Sequence, residues 1–323
     1  MGLNWAVSAG HLHVNQGPGA DALKAFSEAF GVATADEAIM LACRDLRAQV
    51  EAAGWDITLP SFLKAFGLRV LEAPMSQAGR LDFENGRYVI RIKAAEPGSR
   101  GDREIDPTLL RGRQRFSVAH ELGHALLLQT LTDCRELLPG LRDPDEWERI
   151  ESLCDRAAAE LLVPMDSFIA GVQRHGVSPE SLDGLAQDFA VSREVIFKRF
   201  LAGGARTAAI WRVRNIPGKG PIGTVCSAVS GPMGPYLRIG VNSRSLAPNI
   251  VVRAAMRGRA QSAKLKLTSG SASWSLAGVA EARNPIQPRG ATQEAEILLL
   301  LFHEAAPAAK EPLWSAAASR RTH

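Results

Sequence analysis

Apolar residues recur at steps of three and four over roughly residues 20–54. In DEAIMLACRDLRAQVEAAG, Ile39, Cys43, Leu46 and Val50 form one stripe, the mark of an amphipathic helix. Asp36 stands where an N-cap is expected and Gly54 where the helix should stop. A short helix is predicted over LPSFLKAFG (59–67) and a strand over LRVLEAPM (68–75). GRLDFENGRYVIRIKA (79–94) alternates on both sides of Asn85-Gly86, which reads as a hairpin with a two-residue turn. Beyond a polar loop at 96–107, two long helices are predicted. The first covers 111–130, with Phe116, Leu122, Leu126 and Leu127 along one side; the second covers 146–163 and stops at Pro164. Shorter helices follow to about Phe200.

At Gly203-Gly204 the texture changes. Strand-like runs at 207–213, 223–230, 236–242, 264–269, 273–282 and 296–303 alternate with Gly, Pro and Asn turns. The pattern predicts an α+β protein. A flexible leader (1–20) precedes a mainly helical domain with a small β-sheet (21–170). A helix-turn-helix-like segment (171–204), a β-rich domain (205–308) and a frayed tail (309–323) complete the expected order. Within the helix-turn-helix-like segment, Leu185, Phe189, Val191, Ile196 and Phe200 form the expected core, and Ser192 is the expected cap of its second helix.

Composition narrows the class without naming a chemistry. Of 323 residues, 46% are hydrophobic and 22% charged, which excludes a disordered or collagen-like chain. The four cysteines are scattered, with no CxxC pair, as suits a reducing compartment. The first residues lack a basic segment followed by an unbroken apolar one, and no apolar run approaches the ~20 residues of a membrane span. A cytoplasmic protein with no membrane association is expected.

The formal charge of +4 conceals a division. Residues 1–204 hold 22 Lys+Arg and 29 Asp+Glu, a net of −7; residues 205–323 hold 16 Lys+Arg and 5 Glu, a net of +11. No acidic residue occurs from 205 to 280, while Arg238, Arg244, Arg253, Arg257, Arg259, Lys264 and Lys266 crowd one stretch. Such asymmetry points to DNA or an acidic partner, or to docking on the chain's own acidic half.

The chemistry concentrates in RFSVAHELGH (115–124). His120 and His124 are four apart and share a helix face, so both can reach one metal ion. Neutral imidazoles suit Zn2+, and a catalytic zinc takes three protein ligands and an open position. Glu121, next to the first ligand, can act as general base. The third ligand is expected on the next long helix, where Glu151 and Asp155 share a face. One of these two carboxylates would complete the set, and the other would orient a ligand histidine. Gly123 is disfavoured in mid-helix by about 1 kcal/mol, so a close packing contact is expected there. An oxyanion at a scissile carbonyl needs a donor besides the metal; Tyr88, Tyr236 and His175 remain open for that role or for substrate contact. Arg193, Lys198 and Arg199 give the segment 185–200 a modest basic character, enough to raise DNA contact as a possibility.

RQRFSVAHELGHALLL followed by ESLCDRAAAELLVP resembles the ImmA/IrrE family of zinc metallopeptidases, with Asp155 where the family pattern has Asn. The resemblance covers roughly residues 35–200. It implies a thermolysin-like core, one zinc held by His120, His124 and Glu151, Glu121 as base, and cleavage of a helix-turn-helix repressor that controls stress or mobile-element genes. It implies that strand 87–93 is an edge strand pairing with the substrate backbone through Arg87, Val89 and Arg91. It also implies a GAF-like C-terminal sensor. The alternative from another class is a DNA-binding or sensory regulator with a structural zinc, resting on 185–200 and on the basic stretch that includes Arg253, Arg257 and Arg259.

Overall fold

In a computed structural model, the described residues are 22–94, 101–131, 144–205, 207–216, 220–230, 244–245, 249–269, 272–283, 285–286 and 294–303. The leader, the strand expected at 236–242 with Tyr236, and the tail lie outside them. The chain divides into two compact units, Met1–Pro164 and Met165–His323. The boundary expected near 204 therefore falls inside the second unit.

The first unit opens with α1 (Ala22–Ala29) and α2 (Ala35–Ala52), where a single helical stretch was expected. The interruption has a local cause: Gly31 takes φ 64°, and Thr34 starts α2 afresh. Thr34, not Asp36, is the N-cap; its hydroxyl accepts from Glu37 N–H, and the Glu37 carboxylate accepts from Thr34 N–H. This reciprocal capping box leaves Asp36 in the first turn, beside the positive helix end. Gly54, at φ 71°, ends the run as expected. Helix α3 (Leu59–Phe66) is capped by Thr58 and closed by left-handed Gly67.

The sheet of this unit contains β1 (Arg69–Ala73), β2 (Gly79–Glu84), β3 (Arg87–Lys93) and β4 (Arg103–Glu104), in the order β2-β3-β1-β4. Asn85 (φ 50°) and Gly86 (φ 77°) make the turn between β2 and β3, the left-handed pair that a two-residue hairpin requires. Beyond the hairpin, β3 pairs with β1 in parallel. The expectation that 87–93 is an edge strand is therefore overturned. β2 flanks β3 along residues 87–92 and β1 flanks it along 89–93, so Val89 and Arg91 have no open backbone edge for an added strand. Val89 is buried in the core. Arg91 is held by Asp82, Glu84 and Asp102 at 2.6, 2.7 and 2.7 Å. The edge beside β3 belongs to β2.

Helices α4 (Gly112–Leu131) and α5 (Pro144–Leu162) pack on one another, with α4 also against β2 and β3. Their closeness depends on Gly123: a Cβ there would lie 3.0 Å from the Cys154 Cα and 3.2 Å from the Ala157 Cβ. Backbone cannot yield as a side-chain tip can. Gly123→Val is expected to destabilise the protein by about 2 kcal/mol or more, read as a lower urea midpoint at an unchanged slope.

The second unit contains α6 (Met165–His175), α7 (Pro179–Asp188) and α8 (Arg193–Ala202). An antiparallel sheet follows, formed by β5 (Thr207–Ile216), β6 (Gly220–Ser230), β7 (Arg244–Ser245), β8 (Arg259–Ser269), β9 (Ala272–Arg283) and β10 (Glu294–His303). Its order is β7-β6-β5-β10-β9-β8. One helix of this unit escaped the sequence reading. In α9 (Asn249–Arg257), Ile250, Val251, Ala254 and Ala255 are buried with Trp211, Ile297 and Leu299 in the apolar core. Its pattern is regular but only two turns long, and it lies in a stretch read mainly for its charge.

Helix α8 does not present a DNA-reading face. Val195, Ile196, Phe197, Arg199 and Phe200 are all buried. Arg193 is bound by Asp183 at 2.6 Å and by Glu296 at 2.8 Å, Arg199 is 2% exposed, and Lys198 is half-buried. Arg193 is thus tied to its own unit and Arg199 is withdrawn from the surface, so neither is presented for the DNA contact expected of this segment. Ser192 occupies the N-cap position but makes no capping hydrogen bond. Among the described residues, no helix is long and apolar enough to cross a membrane.

Candidate metal centre

Helix α4 carries His120, Glu121 and His124, and α5 carries Glu151 and Asp155. The contact through Gly123 sets the two helices at the separation that lets these side chains meet. His120 Nε2 lies 3.1 Å from Glu151 Oε2 and 3.2 Å from His124 Nε2, and His124 Nε2 lies 3.3 Å from Glu151 Oε1. One ligand atom from each of the three side chains thus falls within a single small triangle, and the group could hold a metal ion. Two imidazole nitrogens facing each other at this distance repel unless a proton or cation is shared. The spacing also fits the donors: tetrahedral bonds of ~2.0–2.1 Å give donor–donor edges of about 3.3–3.4 Å.

The remaining ring nitrogen of His120 has its own partner. Nδ1 lies 3.0 Å from Asp155 Oδ1. With the proton on Nδ1 and directed at Asp155, the Nε2 lone pair points into the triangle. The charges follow the same logic. Burial pushes the His124 imidazole down to about 4, with His120 adding in the same direction; its neutral form is the one that can ligate. Burial opposes protonation of His120 too, but the Asp155 hydrogen bond and the carboxylates of Glu121, Glu151 and Asp155 raise it overall.

Glu121 is 7% exposed. Burial pushes its carboxyl up to about 7, with His120 opposing, Glu151 adding, and the Leu81 N–H donating a hydrogen bond that favours the anion. A bound cation would draw it down again. A carboxyl poised near neutrality suits proton transfer in both directions. The edge strand β2 passes directly over this group. A Cβ at Gly79 would sit 2.8 Å from Glu121 Oε1, so only glycine leaves that carboxylate its present position. Gly79→Ala is expected to lower turnover about tenfold, at an unchanged metal content, by displacing Glu121; rates measured beside zinc stoichiometry check this.

The other expected site residues lie elsewhere. Tyr88 packs edge-to-face on Phe83, its cross-strand neighbour, with ring centroids 5.1 Å apart. His175 ends α6 in the second unit, where Nε2 lies 2.8 Å from Asp188 Oδ2 and the ring rests against Gly184. Arg253 and Arg257 are exposed on the outer face of α9. Arg259 begins β8 opposite Glu281. One residue beside the metal centre was missed by the sequence reading: Trp147, whose ring stacks on His124 at 5.7 Å with an interplanar angle of 16°. The available signal was its position one turn before Glu151.

Residues 104–201 match the model of the IrrE N-terminal-like domain, Peptidase_M78. The radiation response metalloprotease IrrE of Deinococcus radiodurans is 40% identical over 84 residues, covering 25% of this chain and 24% of that protein. The radiation response metalloprotease IrrE of Deinococcus deserti is also 40% identical over 84 residues, covering 25% of this chain and 28% of that protein. The matched segment thus spans about a quarter of the length of these curated relatives. Among solved structures, a Mycobacterium tuberculosis transcriptional regulator aligns over 87% of this chain and 79% of its own, with 13% identity and a TM-score of 0.43.

Proposed function

We propose, from the match of residues 104–201 to the IrrE N-terminal-like domain and the likeness to the IrrE metalloproteases, that this chain is a zinc-dependent endopeptidase of the ImmA/IrrE family. The observation that carries this reading is the convergence of His120, His124 and Glu151 in one triangle with Glu121 on the adjoining turn of α4. His120, His124 and Glu151 would hold the ion. When bound, zinc would polarise the scissile carbonyl and increase the acidity of water.

The remaining chemistry belongs to the chain. Asp155 fixes the tautomer of His120. The Glu121 carboxylate takes a proton from the attacking water and delivers it to the leaving amine nitrogen. The edge of β2, above Glu121, accepts the substrate backbone as an added strand, taking the part that the family resemblance implied for β3. The substrate is a DNA-binding repressor of the helix-turn-helix type, and the second unit, with its six-stranded sheet and α9, is a GAF-like sensor of signal or target.

A second reading rests on the exposed Arg253 and Arg257 of α9: a regulator that contacts DNA through its basic half, with structural zinc. Salt-dependent binding to duplex DNA that survives chelation would favour it. Loss of an activity on protein substrate upon chelation, with recovery on adding zinc, favours the peptidase. Asp155→Ala is expected to weaken zinc binding by about 10–100-fold, measured by competition with a chromogenic chelator; unchanged affinity would deny Asp155 its orienting part.

A further inference from the structure

Each of three successive turns on one face of α5 meets the imidazole pair. Asp155 holds His120 Nδ1, Glu151 faces both Nε2 atoms, and Trp147 lies over the ring of His124. The spacing 147, 151, 155 is the helical repeat of four. His120 thus has a carboxylate to orient it, whereas His124 has an indole. Near-parallel rings 5.7 Å apart give His124 an apolar face to lie against. The side chain of His124 is only 12% exposed, while Trp147 remains 47% exposed.

Trp147 is thus a half-exposed tryptophan. It leaves one side of a large rigid apolar surface uncovered beside a candidate metal ligand. Aromatic side chains of this kind supply contact area at little entropic cost. Glu146 and Glu148 flank it in the chain, so the apolar character of this turn comes from Trp147.

Resting on the peptidase reading above, we propose that Trp147 is a positioning and specificity residue. It holds the ring of His124, and its exposed surface forms the apolar wall against which a large apolar side chain beside the scissile bond of the substrate is seated. The substrate class this selects is a polypeptide with leucine-like or aromatic residues, rather than small or charged ones, next to the cleaved bond.

The test uses the full chain loaded with Co2+ in place of zinc, so that ligand-field absorption reports the metal site directly. The probes are two peptidyl hydroxamates that differ only in a leucine or an alanine side chain beside the hydroxamate. Wild type is expected to bind the leucyl probe about tenfold more tightly than the alanyl one, the difference that partial burial of the larger side chain supplies. Trp147→Ala is expected to abolish the preference and alter the cobalt spectrum. Trp147→Phe is expected to restore both in large part, as a planar apolar ring should.

An unchanged preference in Trp147→Ala, with cobalt bound, overturns the proposal and leaves the peptidase reading intact. Restoration of the preference by Trp147→Leu as fully as by Trp147→Phe overturns the stacking part. Failure of wild type to bind cobalt, or to bind either hydroxamate, defeats the peptidase reading and this proposal with it.

Discussion

Glu121→Gln is expected to bind zinc as wild type does and to cleave its substrate at least about a thousandfold more slowly. The amide is nearly isosteric with the carboxylate, and Gly79 leaves the same space for it. What is lost is a group that can accept a proton. General-base catalysis by a positioned side chain contributes about 10²–10⁴-fold, and here one carboxyl serves both the attacking water and the departing nitrogen. Burial, which pushes that carboxyl up to about 7, also keeps bulk water from replacing it. Zinc content, near-ultraviolet circular dichroism and single-turnover rates, measured together, separate lost chemistry from lost structure. A variant with normal zinc and normal cleavage would remove Glu121 from the mechanism.

His124→Ala is expected to have the second large effect, on zinc itself. A structural zinc site contributes about 10–16 kcal/mol shared among its few ligands. Deleting one of three protein donors should therefore weaken binding by roughly two to four orders of magnitude, and dialysis should leave the variant free of metal. The same substitution carries a pH signature in the metal-free protein. In the folded chain burial holds His124 near 4, against an ordinary 6.5. Between those values the unfolded chain binds the proton and the folded chain does not, so stability falls as pH drops from about 6.5 toward 4. His120, raised in the fold, contributes stability on the acid side and works in the opposite direction. Comparing wild type with His124→Ala isolates the first effect: the variant should lose less stability across this window. Equal pH slopes for the two proteins would contradict the burial argument.

The local chemistry was legible in the sequence because it is written at helical spacing. His120 and His124 must share a face if α4 is a helix at all, and Glu151 and Asp155 likewise on α5. The Asn85-Gly86 hairpin was equally plain, since few residue pairs tolerate two successive left-handed conformations. Long-range pairing was not plain. Alternation along β3 shows that it is a strand but not which strands flank it, and its placement depends on β1 returning in parallel. The nearly continuous apolar run Tyr88-Val89-Ile90, followed by Ile92, was a hint of a central strand.

Charge misled for the same reason. Arg193 reads as a free cation until Glu296, about a hundred residues onward, is brought beside it. Trp147 could be placed on the face of Glu151 by counting, but its stacking on His124 depends on the rotation of α5 against α4. The two helices approach closely where Gly123 faces Cys154.

The most direct test of the account is co-expression of the chain with candidate helix-turn-helix repressors, followed by intact-mass spectrometry of each repressor. The account predicts two complementary fragments of one repressor with wild type and only the whole repressor with Glu121→Gln. The same fragments in the presence of Glu121→Gln would contradict it.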